Sequence, residues 1–253
     1  MPLTLLTIPC LEDNYAFLLH NPDTGETLLV DAPEPAPIQA TLDVQGWTLT
    51  DILLTHHHWD HVDGLDPLRA DTRVIGASAD AHRLPPLDLA VAEGDRLTIC
   101  GEEAEVFDVS GHTVGHIAVY FPKSGIVFTA DSLMALGCGR LFEGTPAQMW
   151  DSLQKLRALP DDTRVCSGHE YTQTNARFAL TIEPNNPDLI SRSDAVAAAR
   201  SKGEATVPST LALEKQTNPF LRADVPALKK AVGMPDAPPA EVFAHVRKKR
   251  DAF

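Results

Sequence analysis

The chain has 253 residues, 43% of them apolar and 22% charged, and carries a formal net charge of -14. That balance supports a folded chain with a sizeable core and excludes general disorder, while so acidic a surface excludes nucleic acid and anionic membrane as general partners. The four cysteines, Cys10, Cys100, Cys138 and Cys166, have no CxxC spacing, which excludes a disulfide-framed small domain and fits a reducing compartment.

From the N-terminus, Met1-Pro-Leu-Thr-Leu-Leu lacks a basic region and soon meets Glu12 and Asp13, so it does not read as a signal peptide. No stretch approaches the ~18 continuous apolar residues of a membrane span. A cytoplasmic protein is expected. Short strands follow at Leu3–Ile8, Ala16–His20 and Thr27–Asp31, with a hairpin turn at Asn21-Pro-Asp-Thr-Gly25 and a helix over Pro37–Val44. Further strands are expected at Ile52–Thr55, Arg73–Gly76, Arg96–Ile99, Ala104–Val109, Ile117–Phe121 and Ile126–Thr129, with a turn at Pro122–Gly125. Pro146–Ala158 reads as a helix: Thr145 is an N-cap, Pro146 takes the first helical position, and Gln148 completes a capping box. Its Met149, Leu153 and Leu156 share one face. Arg164–Ser167 is the last expected strand. Beyond it, Thr174–Thr181, Asp188–Lys202, Ser209–Glu214, Val225–Val232 and Ala240–Arg250 read as helices separated by Pro and Gly. The shift from mixed to helical predicts two domains, 1–171 and 172–253. One short basic cluster, Arg247-Lys-Lys-Arg250, stands out against the acidic background.

Four of the strand ends carry chemistry. Thr55-His-His-His-Trp-Asp-His61 places His56, His58, Asp60 and His61 after an apolar run. On extended chain, residues two apart point the same way, so His56 and His58 can share one ion while Asp60 and His61 face a neighbouring position. Three later segments have the same form: Val106–Gly111 then His112, Ile126–Ala130 then Asp131, and Arg164–Gly168 then His169. Strand ends at one edge of a packed sheet bring their ligands together. These seven groups are too many for one tetrahedral ion and about right for two that share a carboxylate. Imidazole and carboxylate without thiolate suit zinc, iron or manganese. His20, His57, His82 and His245 read as surface or packing residues, and Cys138 and Cys166 as buried thiols. His116 is balanced between a role behind the ligands and a purely structural one.

THxHxDH, the Gly111-His-Thr-Val-Gly-His116 segment, the aspartate after a strand and the late histidine resemble the metallo-β-lactamase superfamily over residues 1 to 171. The resemblance implies an αββα sandwich with a binuclear site. His56, His58 and His112 would hold one metal and Asp60, His61 and His169 the other. Asp131 would bridge them, and Asp60 and Asp131 would be the catalytic carboxylates.

Within that superfamily, Gly137-Cys-Gly-Arg-Leu-Phe-Glu-Gly144, Ser167–Thr172, Gln216-Thr-Asn-Pro-Phe-Leu-Arg222 and the Arg247–Phe253 tail resemble the hydroxyacylglutathione hydrolase, or glyoxalase II, family. The resemblance spans essentially the whole chain and implies a small all-helical C-terminal domain. It implies cleavage of S-D-lactoylglutathione to D-lactate and glutathione by a metal-bridged hydroxide, the second step of methylglyoxal detoxification. Two divalent ions, zinc foremost with iron or manganese as alternatives, and a monomer acting on a small molecule are the corresponding expectations. Arg140, Phe142, Tyr171, Arg247 and Arg250 match the residues that grip glutathione. Guanidinium forks suit its two carboxylates. Three positions depart from the family pattern: Arg140 where many relatives have Lys, Phe142 where some have Tyr, and Ala130 where Gly is common. The rival readings are an iron-dependent glutathione persulfide dioxygenase of the same superfamily and a metal-binding protein without turnover. A β-lactamase is disfavoured by the N-terminus and a nuclease by the charge.

Overall fold

The computed structural model of the chain describes residues 1–253. It divides into two compact units, Met1–Asp108 with Val114–Ala130, and Val109–Thr113 with Asp131–Phe253.

The first unit is built from two sheets. β1 (Thr4–Cys10), β2 (Asn14–His20), β3 (Thr27–Val30), β4 (Asp51–Leu54), β5 (Arg73–Ala77) and β6 (Leu89–Val91) lie side by side in chain order. The pairs β1–β2 and β2–β3 are antiparallel, and β3 to β6 run parallel. Parallel strands need crossovers, supplied here by α1 (Pro35–Gln45) and by the short helices α2 (Trp59–Val62) and α3 (Leu65–Arg69). The second sheet is an antiparallel meander of β7 (Arg96–Ile99), β8 (Glu102–Asp108), β9 (Ile117–Phe121) and β10 (Ile126–Ala130).

Strand alternation decides what each face buries. Ala16, Leu18, Leu29, Ile52, Leu54 and Val74 pack with Ile38 and Leu42 of α1 and Leu65 and Leu68 of α3. The opposite face meets the meander: the Phe17 ring lies 5.7 Å from that of Phe128, which lies 5.9 Å from Phe121. All four residues of β4 are buried, as expected for a parallel strand covered on both faces. Helix α1 stops where Gly46 takes a left-handed φ of 67°.

In the second unit β11 (Leu133–Met134) and β12 (Gly137–Cys138) form a small hairpin, and β13 (Arg164–Ser167) pairs antiparallel with β14 (Ser209–Thr210). The helices are α4 (Pro146–Arg157), α5 (Thr172–Ile182), α6 (Pro187–Arg200), α7 (Leu211–Thr217), α8 (Pro226–Ala231) and α9 (Pro239–Asp251). Thr145 caps α4 as its sequence requires, its hydroxyl accepting the Gln148 N–H at 3.2 Å. Met149, Leu153 and Leu156 are fully buried, and Trp150 packs against Phe243 of α9 at 6.2 Å.

The expected elements form, with local corrections. The helix expected over Ser209–Glu214 begins only at Leu211, because Ser209 and Thr210 pair with β13 and the Thr210 hydroxyl caps the helix. The helical C-terminal region therefore also contributes one short strand. Elements β6, β11, β12, α2 and α3 were not expected; each has five residues or fewer, too few to show a period. Ala130 has a φ of 39°, a left-handed conformation that glycine adopts without strain. This accounts physically for the glycine common at that position in the resembling family.

Candidate metal centre

In the first unit the chain leaves β4 into Thr55 and His56. Asp31, at the end of the neighbouring β3, lies 2% exposed with a φ of 57°. Its carboxylate accepts the Thr55 N–H at 2.9 Å, the Thr55 hydroxyl at 2.9 Å and His61 Nδ1–H at 2.7 Å. The Thr55 hydroxyl proton is thereby committed, so its oxygen accepts from His56 Nδ1 at 3.0 Å. Backbone bonds reinforce the connection: Ala32 N–H donates to the His61 carbonyl and Gly64 N–H to the Ala32 carbonyl, each at 2.8 Å.

Because a carboxylate only accepts, this network assigns the proton of both imidazoles to Nδ1 and leaves Nε2 as a bare lone pair. His56 Nε2 lies 3.1 Å from His58 Nδ1, and His61 Nε2 lies 3.8 Å from Asp60 Oδ2. The ligating atoms of His56 and His58, of His56 and His61, and of Asp60 and His61 all fall within 4.8 Å of each other. Asp60 is held by Asn14, whose amide donates to its backbone oxygen at 3.0 Å and to Oδ2 at 3.1 Å.

The second unit repeats the arrangement. His112 Nδ1 donates to the Arg140 carbonyl at 2.7 Å, which turns Nε2 toward Asp131 Oδ2 at 3.5 Å. His169 Nε2 lies 3.3 Å from the same oxygen. Bare imidazole nitrogens and carboxylate oxygens set this close repel one another. A divalent cation between them reverses the sign of the interaction. The donor set, with the outer nitrogens of His56, His61 and His112 fixed by a hydroxyl, a carboxylate and a carbonyl, therefore fits a hard or borderline metal ion.

The expected gripping residues all belong to this second unit. Phe142 meets the His112 ring edge-on at 5.3 Å, and Tyr171 stacks on His169 at 4.7 Å with the planes 5° apart. The Arg140 guanidinium lies over Phe142 at 5.6 Å. Arg247 is buried and already engaged: Nη1 donates to the Cys138 carbonyl at 2.9 Å, and Nε and Nη2 reach Asp251 Oδ1 at 3.1 and 2.9 Å. Arg250 Nη2 donates to Asn175 Oδ1 at 3.4 Å, over the rings of Phe178 and Phe253. Burial, with the charge of Arg247 beside it, lowers the Arg250 pKa from its usual value. The sequence Gly-Cys-Gly has a steric reason at Gly139, where a Cβ would stand 1.9 Å from the Asp131 backbone oxygen and 2.9 Å from His112 Nδ1.

Other histidines have specific partners. His57, expected as a surface or packing residue, bonds Asp80 Oδ2 at 2.9 Å, and Asp80 also takes Arg83 Nε at 2.6 Å. His116 is fully buried and stacks on His56 at 4.5 Å. His20 stacks on Trp47 at 4.0 Å, and burial lowers its pKa. All four cysteines are free and buried; burial pushes the Cys138 thiol up to about 11.

Sequence reasoning missed Asp31, Thr55 and Asn14. Asp31 had the signal used elsewhere, a ligand-type residue ending an apolar strand, but its partners are other protein groups.

Known proteins resemble this chain along its whole length. Residues 12–169 match the family described as the metallo-beta-lactamase superfamily, and residues 170–253 match the hydroxyacylglutathione hydrolase C-terminus. A Ruegeria pomeroyi protein named hydroxyacylglutathione hydrolase is 64% identical over 255 residues, covering 100% of both chains. Among solved structures, the BLEG-1 B3 metallo-beta-lactamase superposes with a TM-score of 0.67 at 23% identity, covering 86% of this chain and 99% of its own, which is a likeness of fold. TTHA1623 in a di-iron-bound form gives a TM-score of 0.61 at 29% identity, covering 86% of this chain and 100% of that one.

Proposed function

We propose that this chain, which belongs to the hydroxyacylglutathione hydrolase family of the metallo-beta-lactamase superfamily, hydrolyses S-D-lactoylglutathione and related 2-hydroxyacyl thioesters to the hydroxy acid and glutathione. The observation that carries the reading is a His/Asp cluster in each unit, with the outer nitrogens of His56, His61 and His112 fixed and with Nε2 and carboxylate atoms close together inside each cluster.

His56, His58 and His112 would hold one divalent ion and Asp60, His61 and His169 a second, with Asp131 available to both. Zinc is the proposed metal; iron and manganese suit the same donors, and the relative TTHA1623 holds two irons. When bound, such ions supply hydroxide at neutral pH and electrostatic stabilisation of a developing oxyanion. Asp60, steadied by Asn14, orients the attacking water. Arg140, Phe142, Tyr171, Arg247 and Arg250 hold the glutathione half, so that the reacting carbonyl is presented in one pose. A C–O bond forms, the C–S bond breaks, and the thiolate takes the proton. A free thiol has a pKa near ~8.5, so the leaving group needs no dedicated general acid.

Residues 1–171 are the proposed metal-binding domain and 172–253 the substrate-binding domain, a division supported by the change of family match between residues 169 and 170. All proposed ligands come from one chain, so a monomer would suffice for the site. Free buried cysteines suit the cytoplasm, and no helix is long and apolar enough to cross a membrane.

The test is loss of thioester ultraviolet absorbance with S-D-lactoylglutathione, before and after chelation, with metal analysis of the same sample. Hydrolysis that chelation abolishes, with about two metals per chain, is the expected result. Metal-loaded protein that leaves the thioester intact would sink the substrate assignment. For Arg250→Ala, KM is expected to rise about tenfold with kcat nearly unchanged, because the side chain acts on a remote part of the substrate. A fall in kcat at constant KM would remove Arg250 from the grip.

A further inference from the structure

The hairpin of β11 and β12 begins two residues after Asp131 and ends two residues before Arg140. Its tip is strained, with Leu136 at a φ of 56°, and side chains from distant sequence hold its backbone. Asn218 Nδ2 donates to the carbonyls of Met134 at 3.1 Å and Gly137 at 2.9 Å. Glu214 Oε2 accepts the Leu136 N–H at 2.9 Å and Asn218 Nδ2 at 3.1 Å. Behind them, Glu214 Oε1 accepts the Ser209 hydroxyl at 2.6 Å and the Arg192 guanidinium. Glu214 and Asn218 are both 0% exposed.

The other end of the Asn218 amide is equally committed. Its Oδ1 accepts the Phe220 N–H at 3.0 Å, and the Phe220 ring lies under the Arg247 guanidinium at 5.1 Å. Arg247 in turn donates to Cys138, the last residue of the hairpin. A single buried amide thus fixes both the carbonyl-bearing hairpin and the aromatic surface on which Arg247 rests. Buried polar groups satisfied in this way specify one geometry, and each bond lost leaves a partner unsatisfied.

We propose that Asn218, backed by Glu214, is a positioning residue for the glutathione half of the substrate. It touches no substrate atom and sets Arg247 against the hairpin that runs from Asp131 to Arg140. The inference rests on the functional reading above, in which Arg140 and Arg247 grip glutathione.

The experiment compares wild type and Asn218→Ala, both metal-loaded, on S-D-lactoylglutathione and on the lactoyl thioester of N-acetylcysteamine, which lacks the glutathione arms. Binding of S-methylglutathione is measured by calorimetry alongside. The expected result is a KM for the glutathione thioester raised about tenfold and S-methylglutathione binding weakened to match, about 1.4 kcal/mol. Metal content and turnover of the short thioester stay unchanged. Equal losses on both thioesters, as a general loosening of the fold would give, overturn the positioning role; so does an unchanged KM. If Asn218→Ala does not fold, Asn218→Ser keeps one donor for one carbonyl and is read against the same outcomes. A wild type that fails to bind S-methylglutathione overturns the functional reading itself. Normal wild-type binding with no change in the variant overturns the positioning role alone.

Discussion

Asp131→Asn is expected to lower kcat by at least about 10²-fold and to lower the metal content per chain. One oxygen of this carboxylate lies within 3.5 Å of His112 Nε2 and 3.3 Å of His169 Nε2. His112 Nε2 faces it as an acceptor, in the tautomer that the Arg140 carbonyl imposes. The carboxamide is nearly isosteric, so packing changes little. It removes a full negative charge from a residue only 5% exposed, and charge there is poorly replaced by solvent. It can also turn N–H donors toward the imidazoles, which satisfies them as hydrogen bonds and removes their reason to bind a cation. Metal analysis and steady-state kinetics on one preparation give the answer. Near-normal turnover at low metal content would sink the shared-ligand assignment.

Asp31→Asn should weaken metal binding by about 10- to 100-fold, although Asp31 is not a proposed ligand. Its carboxylate now accepts from Thr55 N–H, the Thr55 hydroxyl and His61 Nδ1–H. An amide there presents an NH₂ group to one of these donors. Where it meets His61, Nδ1 must become the acceptor, and the proton moves to Nε2, the atom needed for the metal. Where it meets Thr55, the hydroxyl turns and His56 loses its fixed tautomer. Backbone strain does not confound the comparison, because asparagine tolerates the left-handed φ of 57° found at this position. Competition with a chromophoric chelator gives the affinity, and nitrogen-detected NMR of the metal-free protein gives the His61 tautomer. Unaltered affinity together with an unaltered tautomer would refute the role assigned to Asp31.

The proposed ligands are legible without any coordinates. His56, His58, Asp60, His61, His112, Asp131 and His169 each follow an apolar run, and such runs mark strands whose ends carry exposed chemistry. The Pro146 helix was legible for the same kind of reason, since Thr145, Pro146 and the Met149–Leu153–Leu156 face are all local signals. The helix expected at Ser209 was mislocated because its first two residues are claimed by β13, forty-odd positions earlier in the chain.

By itself, then, the sequence determined what is written within a few residues: strand periodicity, helix caps, the spacing of ligand-type side chains and the motifs shared with a family. Only the tertiary structure decided which acceptor each imidazole faces. His61 is paired with Asp31, 30 residues away, and Arg247 with the Cys138 carbonyl, 109 residues away. It also decided that His57 is tied to buried Asp80 and that Asn218 braces the hairpin beside Asp131. The physical reason is that local propensities depend on bonds between near neighbours, whereas tautomers and orientations depend on which distant groups the packed core brings within about 3 Å.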